Sequence, residues 1–298
     1  MMTTARTSSL LLLHLIVFIW GFTGILGREI SLDAFALVWW RVLVAAAAIG
    51  AYAFFFNKKL AAPSRSIAKF AAIGVLTAAH WVCFFASIKA SNVSVALAVI
   101  STTSFFVSLV APFVRNEKFK SYEVLLGLMV IAGLFIIFKF EMQYAEGIVL
   151  SLLASFFAAV FSSYNSKLIA EHTAAKIAFW EMLFALLAMS IFLVCTKQIH
   201  YTIIAPTAKD IWLLLLLGVA CTGFAFLAGI EVMKVLSPFT CALTINLEPV
   251  YTIGFALWIY GESEYMSPQF YLGALIIIST LFINAWIKKR ESSLRFPQ

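Results

Sequence analysis

Charge is what this chain has least of. Only 12% of its 298 residues are Asp, Glu, Lys or Arg, against about 25% in an ordinary soluble domain. In contrast, 63% are hydrophobic and the mean hydropathy is +1.00. No polar face recurs often enough to wet a surface, so the expected solvent is lipid. Two aspartates, Asp33 and Asp210, lie at the edges of apolar segments; no Gly-x-Ser-Gly occurs and no His is followed by Glu. An intramembrane hydrolase would therefore have neither nucleophile nor metal base, and the reading is not an enzyme. No Gly-Lys pair exists anywhere, which excludes a phosphate-cradling P-loop and ATP as the direct energy source. The four cysteines (Cys83, Cys195, Cys221, Cys241) lack CxxC spacing and fall inside or at the end of apolar segments. They read as small buried residues, with no disulfide, metal or cofactor implied.

What is present is apolar sequence in long runs. Ten segments, 9–26, 34–56, 67–88, 93–114, 123–140, 145–166, 175–195, 209–232, 238–259 and 269–287, can each span a hydrocarbon core about 30 Å thick. Loops are short, 196–208 being the longest. Arg6 followed by the apolar run Leu10–Trp20 has the order of a signal peptide, but no small-x-small site follows cleanly and the segment is kept as span 1. With the N-terminus inside, the inner segments carry Arg6; Lys58, Lys59, Arg65, Lys69; Arg115, Lys118, Lys120; Lys167, Lys176; Lys234; and Lys288, Lys289, Arg290, Arg295. The outer ones carry Arg28, Lys89, Lys139, Lys197 and Lys209. Fifteen against five places both termini in the cytoplasm, in a bacterial-type inner (plasma) membrane. The same bias accounts for the net charge of +7. The basic loops lack the interleaved aromatics that nucleic acid would need.

The halves repeat. At an offset of 145, Ala86–Val95 runs beside Glu231–Thr240 and matches Lys89 with Lys234; Asn116-Glu117 falls under Gly261-Glu262, and with one residue inserted Gly127 meets Gly273. The expected fold is all-α, ten transmembrane helices in two five-helix repeats, residues 1–140 and 141–298. An odd number of spans per repeat inverts one half relative to the other. Inverted repeats are the architecture of secondary transporters, which exchange inward-open and outward-open cavities around a midplane site.

Polar residues at mid-depth are the candidate site, because they are expensive in lipid. Pro238 starts the ninth span, and Glu248, ten residues on, sits about 15 Å deep. Cys241, Thr244, Glu248 and Tyr251 recur at helical spacing and would share a face; Pro249 frees the carbonyl one turn earlier. At offset 145, Ser101, Thr102, Thr103 and Ser104 fall under Asn246, Leu247, Glu248 and Pro249. Those hydroxyls can equally bond their own helix. Arg41 and Glu181 form a second pair, at offset 140 in Trp40-Arg41 and Trp180-Glu181. Their depths differ, which argues against a static ion pair and for gating or for holding a substrate carboxylate; Arg41 can alternatively snorkel. Trp20 and Trp81 lie deeper than the other six tryptophans. Trp20 precedes Gly21, Gly24 and Gly27 on one face, which suits close packing. His80-Trp81 can line a cavity, and Tyr164 and Asn165 are weaker candidates.

The stretch Leu247-E-P-V-Y-T-I-G-F-A-L-W-I-Y-G-Glu262, with Gly273 beyond it, Lys89 before the fourth span and Trp20-Gly21 in the first, resembles the EamA family of the drug/metabolite transporter superfamily. The resemblance covers nearly the whole chain. It implies a ten-helix inverted-repeat fold with a central cavity, exporting or exchanging amino acids and other small metabolites, often with ion coupling. One departure is that Thr103-Ser104 stands where the second repeat has Glu248-Pro249, so carboxylate chemistry is one-sided. An exporter of amino acids or related amphipathic solutes, working by alternating access with proton coupling at Glu248, is the leading reading. An uncoupled facilitator or exchanger is the alternative. A single arginine within a span suits zwitterions better than phosphates. Small-residue faces of GxxxG type can serve a homodimer or intrachain packing equally.

Overall fold

The structure, a computed structural model, describes residues 2–198 and 206–295, with the side chains of 2–4, 138, 140, 285 and 288–295 outside the described set. The 196–208 loop and the side chains of Lys288, Lys289, Arg290 and Arg295 thus fall partly or wholly outside it. Among the described residues there is no strand. The helices are α1 Met2–Glu29, α2 Ala34–Phe55, α3 Ser64–Ala90, α4 Val93–Ile100, α5 Thr103–Arg115, α6 Ser121–Phe140, α7 Ala145–Leu168 and α8 Ala174–Cys195. Then come α9 Ala208–Leu216, a π-helical stretch Leu217–Phe224, α10 Ala225–Val232, α11 Pro238–Ile245, α12 Glu248–Tyr260 and α13 Pro268–Arg295. Among the described residues, eight helical stretches are long and apolar enough to cross a membrane, counting α4 with α5, α9 with α10 and α11 with α12 as one each; the fifth and tenth expected spans are shorter, Ser121–Ile137 and Pro268–Asn284.

Helix starts follow the capping rules. Asp33 accepts from the Phe35 and Ala36 amides at 2.8 and 3.0 Å, Asn92 from Val95 at 2.8 Å, and Ser237 from Thr240 at 3.2 Å, with Pro238 at the first position of α11. Thr207 and Asp210 form a reciprocal capping box on α9.

The bundle has two ends that differ in chemistry. At one, the ends of α1 and α3 meet the starts of α2, α4 and α9 and the turn Gly261–Glu264; this is the Glu264 end. The other holds the starts of α3, α8 and α11; this is the Pro238 end. Helix α1 finishes at the Glu264 end, where α7 begins beside Ser91. The largest apolar core joins α1, α2 and α3 to α8, α9 and α10. Helices α6 and α13 cross backbone to backbone. A Cβ on Gly133 would lie 2.7 Å from the Gly273 carbonyl oxygen, and one on Gly273 would lie 2.6 Å from that of Gly133. The glycine that faces Gly273 in space is thus Gly133; Gly127, its match by sequence, packs on Phe105.

Candidate functional site

Two spans are interrupted at matching positions. Helix α4 stops at Ile100 and α5 starts at Thr103; α11 stops at Ile245 and α12 starts at Glu248, each 145 residues later. Both interruptions are tightened turns, with Thr102 bonded to Val99 (3.0 Å) and Ser104 to Ser101 (3.3 Å), as Asn246 is to Leu243 (3.2 Å) and Leu247 to Thr244 (3.0 Å). Pro249 explains the second, since it has no N–H to continue the ladder. The first contains no proline. Hydroxyls occupy its carbonyls instead, Thr102 on Val99 (2.8 Å), Thr103 on Ile100 (2.7 Å) and Ser104 on Ser101 (3.0 Å), a back-bonding that bends helices. The two turns touch. With its amide turned, Asn246 donates to the carbonyls of Ser101 (3.1 Å) and Ala242 (3.3 Å), and its oxygen lies 3.3 Å from the Ser104 hydroxyl, whose one proton the Ser101 carbonyl shares.

Beside these turns lies a cavity of about 130 Å³. That is a little less than the roughly 150 Å³ cavity that takes one benzene ring, so it fits one small metabolite. Its wall is mostly apolar and aromatic, with Trp20, Trp81, Phe84, Phe161 and Phe226, and is interrupted by Thr23, Arg41, His80, Thr103, Ser162, Asn165 and Glu248. At the Pro238 end it is lined by Met233 and Pro238.

Arg41 is 2% exposed. Its Nε donates to Thr222 Oγ1 at 2.7 Å, and its guanidinium carbon lies 4.1 Å from the Trp81 ring centroid. Nη1 has no hydrogen-bond partner. The position of Thr222 comes from the π-helical stretch, where its hydroxyl bonds the Leu217 carbonyl five residues back at 2.9 Å. The same stretch offers the Cys221 carbonyl to the Trp20 indole at 2.9 Å. Glu248 lines the cavity with Arg41, and among the described residues no ion pair joins them. His80 Nδ1 bonds the Ala154 carbonyl at 2.8 Å; donation there leaves Nε2 as the acceptor of the neutral ring.

The geometry therefore brings together Glu248, Thr103, Trp20, His80, Trp81 and Arg41. Other expected site residues lie elsewhere. Thr244 bonds the Thr240 carbonyl of its own helix (2.8 Å), Tyr251 packs edge-on to Phe18 with ring centroids 5.6 Å apart, and Asn246, Ser101 and Ser104 hold the two turns to each other. Of the four residues that helical spacing united, Cys241 and Glu248 share the cavity wall across the interruption at Asn246-Leu247, while Thr244 and Tyr251 lie off it. Glu181 is buried outside the cavity wall, where it accepts from Asn165 Nδ2 at 3.1 Å. Cys195 is exposed, unlike the buried residue expected. Among the described residues no three His, Cys, Asp or Glu side chains group as a metal ion needs.

The Glu264 end is closed by a polar network that the sequence did not single out. Glu264, fully buried, pairs with Arg28 and accepts from Ser94 Oγ (2.6 Å) and the amides of Ser94 (3.0 Å) and Val93 (3.3 Å) at the start of α4. Arg28 also lies over the Tyr260 ring at 3.9 Å. Lys89 donates to the Ile30 carbonyl at 2.7 Å, and Asp210 accepts from the Ser31 amide and hydroxyl at 2.8 and 2.7 Å. The repeat partner of Lys89, Lys234, pairs instead with Glu231 on the exposed surface.

The EamA-like transporter family model matches residues 7–139 and again 145–286. A search of curated proteins gives no match. Among solved structures, the chain is similar to one titled "Crystal structure of protein", at 17% identity and a TM-score of 0.69, over 93% of this chain and 96% of that one; at that identity the likeness speaks for the fold. Two family matches that together cover nearly the whole sequence, on a multi-pass helical membrane protein, show that this chain belongs to the EamA-like transporter family.

Proposed function

We propose that the protein is a secondary active transporter of small zwitterionic metabolites, amino acids foremost, working by alternating access. It has ten spans in two inverted repeats, 1–140 and 141–298, with both termini in the cytoplasm and an inner (plasma) membrane location. It needs neither ATP nor nucleic acid. The observation that carries the substrate reading is a buried arginine and a buried glutamate on one cavity, not paired with each other, with Arg41 Nη1 unpartnered. A guanidinium lying over the Trp81 ring and fixed through Nε by Thr222 is held in place while Nη1 stays available. A carboxylate is the planar acceptor that fits it. Glu248 then meets the ammonium of the same solute, and the aromatic wall takes its side chain. Each charge neutralises its partner in a low-dielectric site, where an unpaired charge is costly.

Alternation needs a closed and an open end. The network around Glu264 closes one. On the proposed topology that is the outside, so the cavity runs towards the cytoplasm past Met233 and Pro238. Glu248 can carry a proton when no ammonium occupies it, which makes it the first candidate for coupling.

The test is labelled amino-acid uptake by proteoliposomes, with and without an imposed pH gradient, for wild type beside Glu248→Gln. Gradient-driven accumulation that the substitution abolishes supports coupled transport through Glu248. Equilibration indifferent to the gradient would make the protein an uncoupled facilitator, and no flux of any amino acid would sink the substrate reading.

A further inference from the structure

Glu181 and Asn165 carry a chemistry the transport cycle above does not use. Both are buried, Glu181 completely. Asn165 Nδ2 donates to Glu181 Oε2 at 3.1 Å, and the other two oxygens of the pair, Glu181 Oε1 and Asn165 Oδ1, are both buried without any hydrogen-bond partner. Two orphan acceptors on two side chains already joined by one hydrogen bond can be satisfied together by one proton. A proton on Oε1 turns it into a donor to Oδ1, and the two side chains close the cyclic carboxylic acid–amide pair that satisfies all four polar positions. An ionised Glu181 would instead leave a buried carboxylate oxygen and a buried amide oxygen facing no donor, which costs far more.

Among the described residues no charged group bonds Glu181 to stabilise its ionised form. Glu181 sits on α8, which packs on α2, α3 and α10. From α2, Arg41 is held by Thr222; from α3, His80 is bonded to Ala154, Lys89 caps α1 at the opposite end of the bundle, Arg65 and Lys69 lie in the first turns, and Cys83 is only partly buried. On α10, Glu231 is paired with Lys234 at the surface; on α7, Lys167 bonds the Val114 carbonyl; on α8 itself, Lys176 lies in the first turn. None of these bonds Glu181. The backbone is fixed as well, since a Cβ on Gly74 of α3 would lie 2.5 Å from the Glu181 carbonyl oxygen.

We propose that the Glu181–Asn165 pair is a proton-binding site, distinct from Glu248 and loaded in this conformation. Asn165 is its link to substrate, because it belongs to the cavity wall while Glu181 stands behind it. When the Oε1–H bond breaks, the proton passes to water entering the cavity beside Asn165. The carboxylate left behind repels Oδ1, and the amide turns. Proton release at α8 thereby changes the polar face that the cavity offers its solute. This rests on the transport reading for its purpose, but not for its test.

The test is infrared difference spectroscopy of the reconstituted protein, reading protonated-carboxyl C=O stretches at neutral pH. Wild type and Glu248→Gln are expected to share a band that Glu181→Gln lacks. Glutamine preserves both hydrogen bonds of the pair, so that variant should fold. Asn165→Leu, which keeps the acid but removes its acceptor, should move the same band to higher frequency. A spectrum in which Glu181→Gln loses no protonated-carboxyl band means that Glu181 is ionised and overturns the proposal. So does a band that Asn165→Leu leaves in place. Neither outcome depends on whether any solute is transported, so a failed uptake screen would count against the proposed function alone.

Discussion

The two interrupted spans make the same shape with different parts. In α11–α12 the turn is made by Pro249, which cannot donate, and the residue before it is the carboxylate of the cavity. In α4–α5 it is made by hydroxyls that bond carbonyls of their own helix, and the matching residue, Thr103, reaches the cavity with its hydroxyl already committed to Ile100. The bend is therefore common to both repeats, whereas the charge belongs to one. The corners differ in the same way. Glu264, which seals the start of α4, corresponds at offset 145 to Phe119, 49% exposed and stacked edge-on to Phe113 at 5.1 Å. At that corner Arg115 pairs with Glu117 on the surface and reaches the Ser166 carbonyl at 3.3 Å. Shape repeats; the sealing and binding chemistry does not.

The sharpest way to break this comparison is to exchange what differs at the turns. Glu248→Gln is expected to lower gradient-driven accumulation by tenfold or more, which is ~1.4 kcal/mol of lost stabilisation. Thr103→Val should change it by no more than about threefold, ~0.7 kcal/mol on the same scale, because its hydroxyl is satisfied within its own helix. Equal losses in proteoliposome uptake would mean that both repeats carry the chemistry.

The corners come next. Glu264→Gln removes the charge that the Ser94 and Val93 amides and Arg28 share, at a cost of about 1–3 kcal/mol. Arg28 is 31% exposed, which keeps the ion-pair share of that figure small. Detergent-solubilised protein should unfold at lower temperature, and a cysteine placed near the start of α4 should label faster. Phe119→Ala should change neither, and a matching loss of stability there would make the corners equivalent after all.

The smallest effect concerns His172, in the turn between α7 and α8, whose Nε2 lies 3.1 Å from the buried Ser66 hydroxyl. Partial burial, and after it the nearby Lys176, hold its pKa below the ordinary 6.5. A histidine depressed on folding favours the folded state above its ordinary pKa, and that contribution is lost as pH falls through the lower, folded value. His172→Gln should therefore reduce the loss of thermal stability on mild acidification without altering stability at neutral pH. An unchanged acid profile would refute the assignment.

Much of this was legible in the sequence, because the determinants are local. The offset of 145 set Ile100 against Ile245 and Thr103 against Glu248, and a proline or a run of hydroxyls each announces a bent helix. The spacing on the ninth span holds for Cys241 and Glu248, which share the cavity wall, and not for Thr244 and Tyr251. A spacing rule gives a face but not which of its residues other helices cover. Thr222 carried no advance signal, since a π-helical stretch has no sequence signature beyond the small residues Gly218 and Gly223 around it. Glu264 was hidden by a more conspicuous neighbour. Gly261-Glu262 marks the loop in the sequence, yet Glu262 is exposed and the residue two places on is buried against α4.

The crossing of α6 and α13 leaves no tolerance at one point. Gly133 and Gly273 meet backbone to backbone, with Ile277 and Ile137 packed beside them. A β-carbon on either would fall 2.7 or 2.6 Å from the facing carbonyl oxygen, so one added methyl group would have to push two whole helices apart. The start of α6 at Ser121 lies twelve residues from Gly133, about 18 Å along the helix axis. A misfit at the crossing would therefore be felt at that distant corner, far from anything a solute touches.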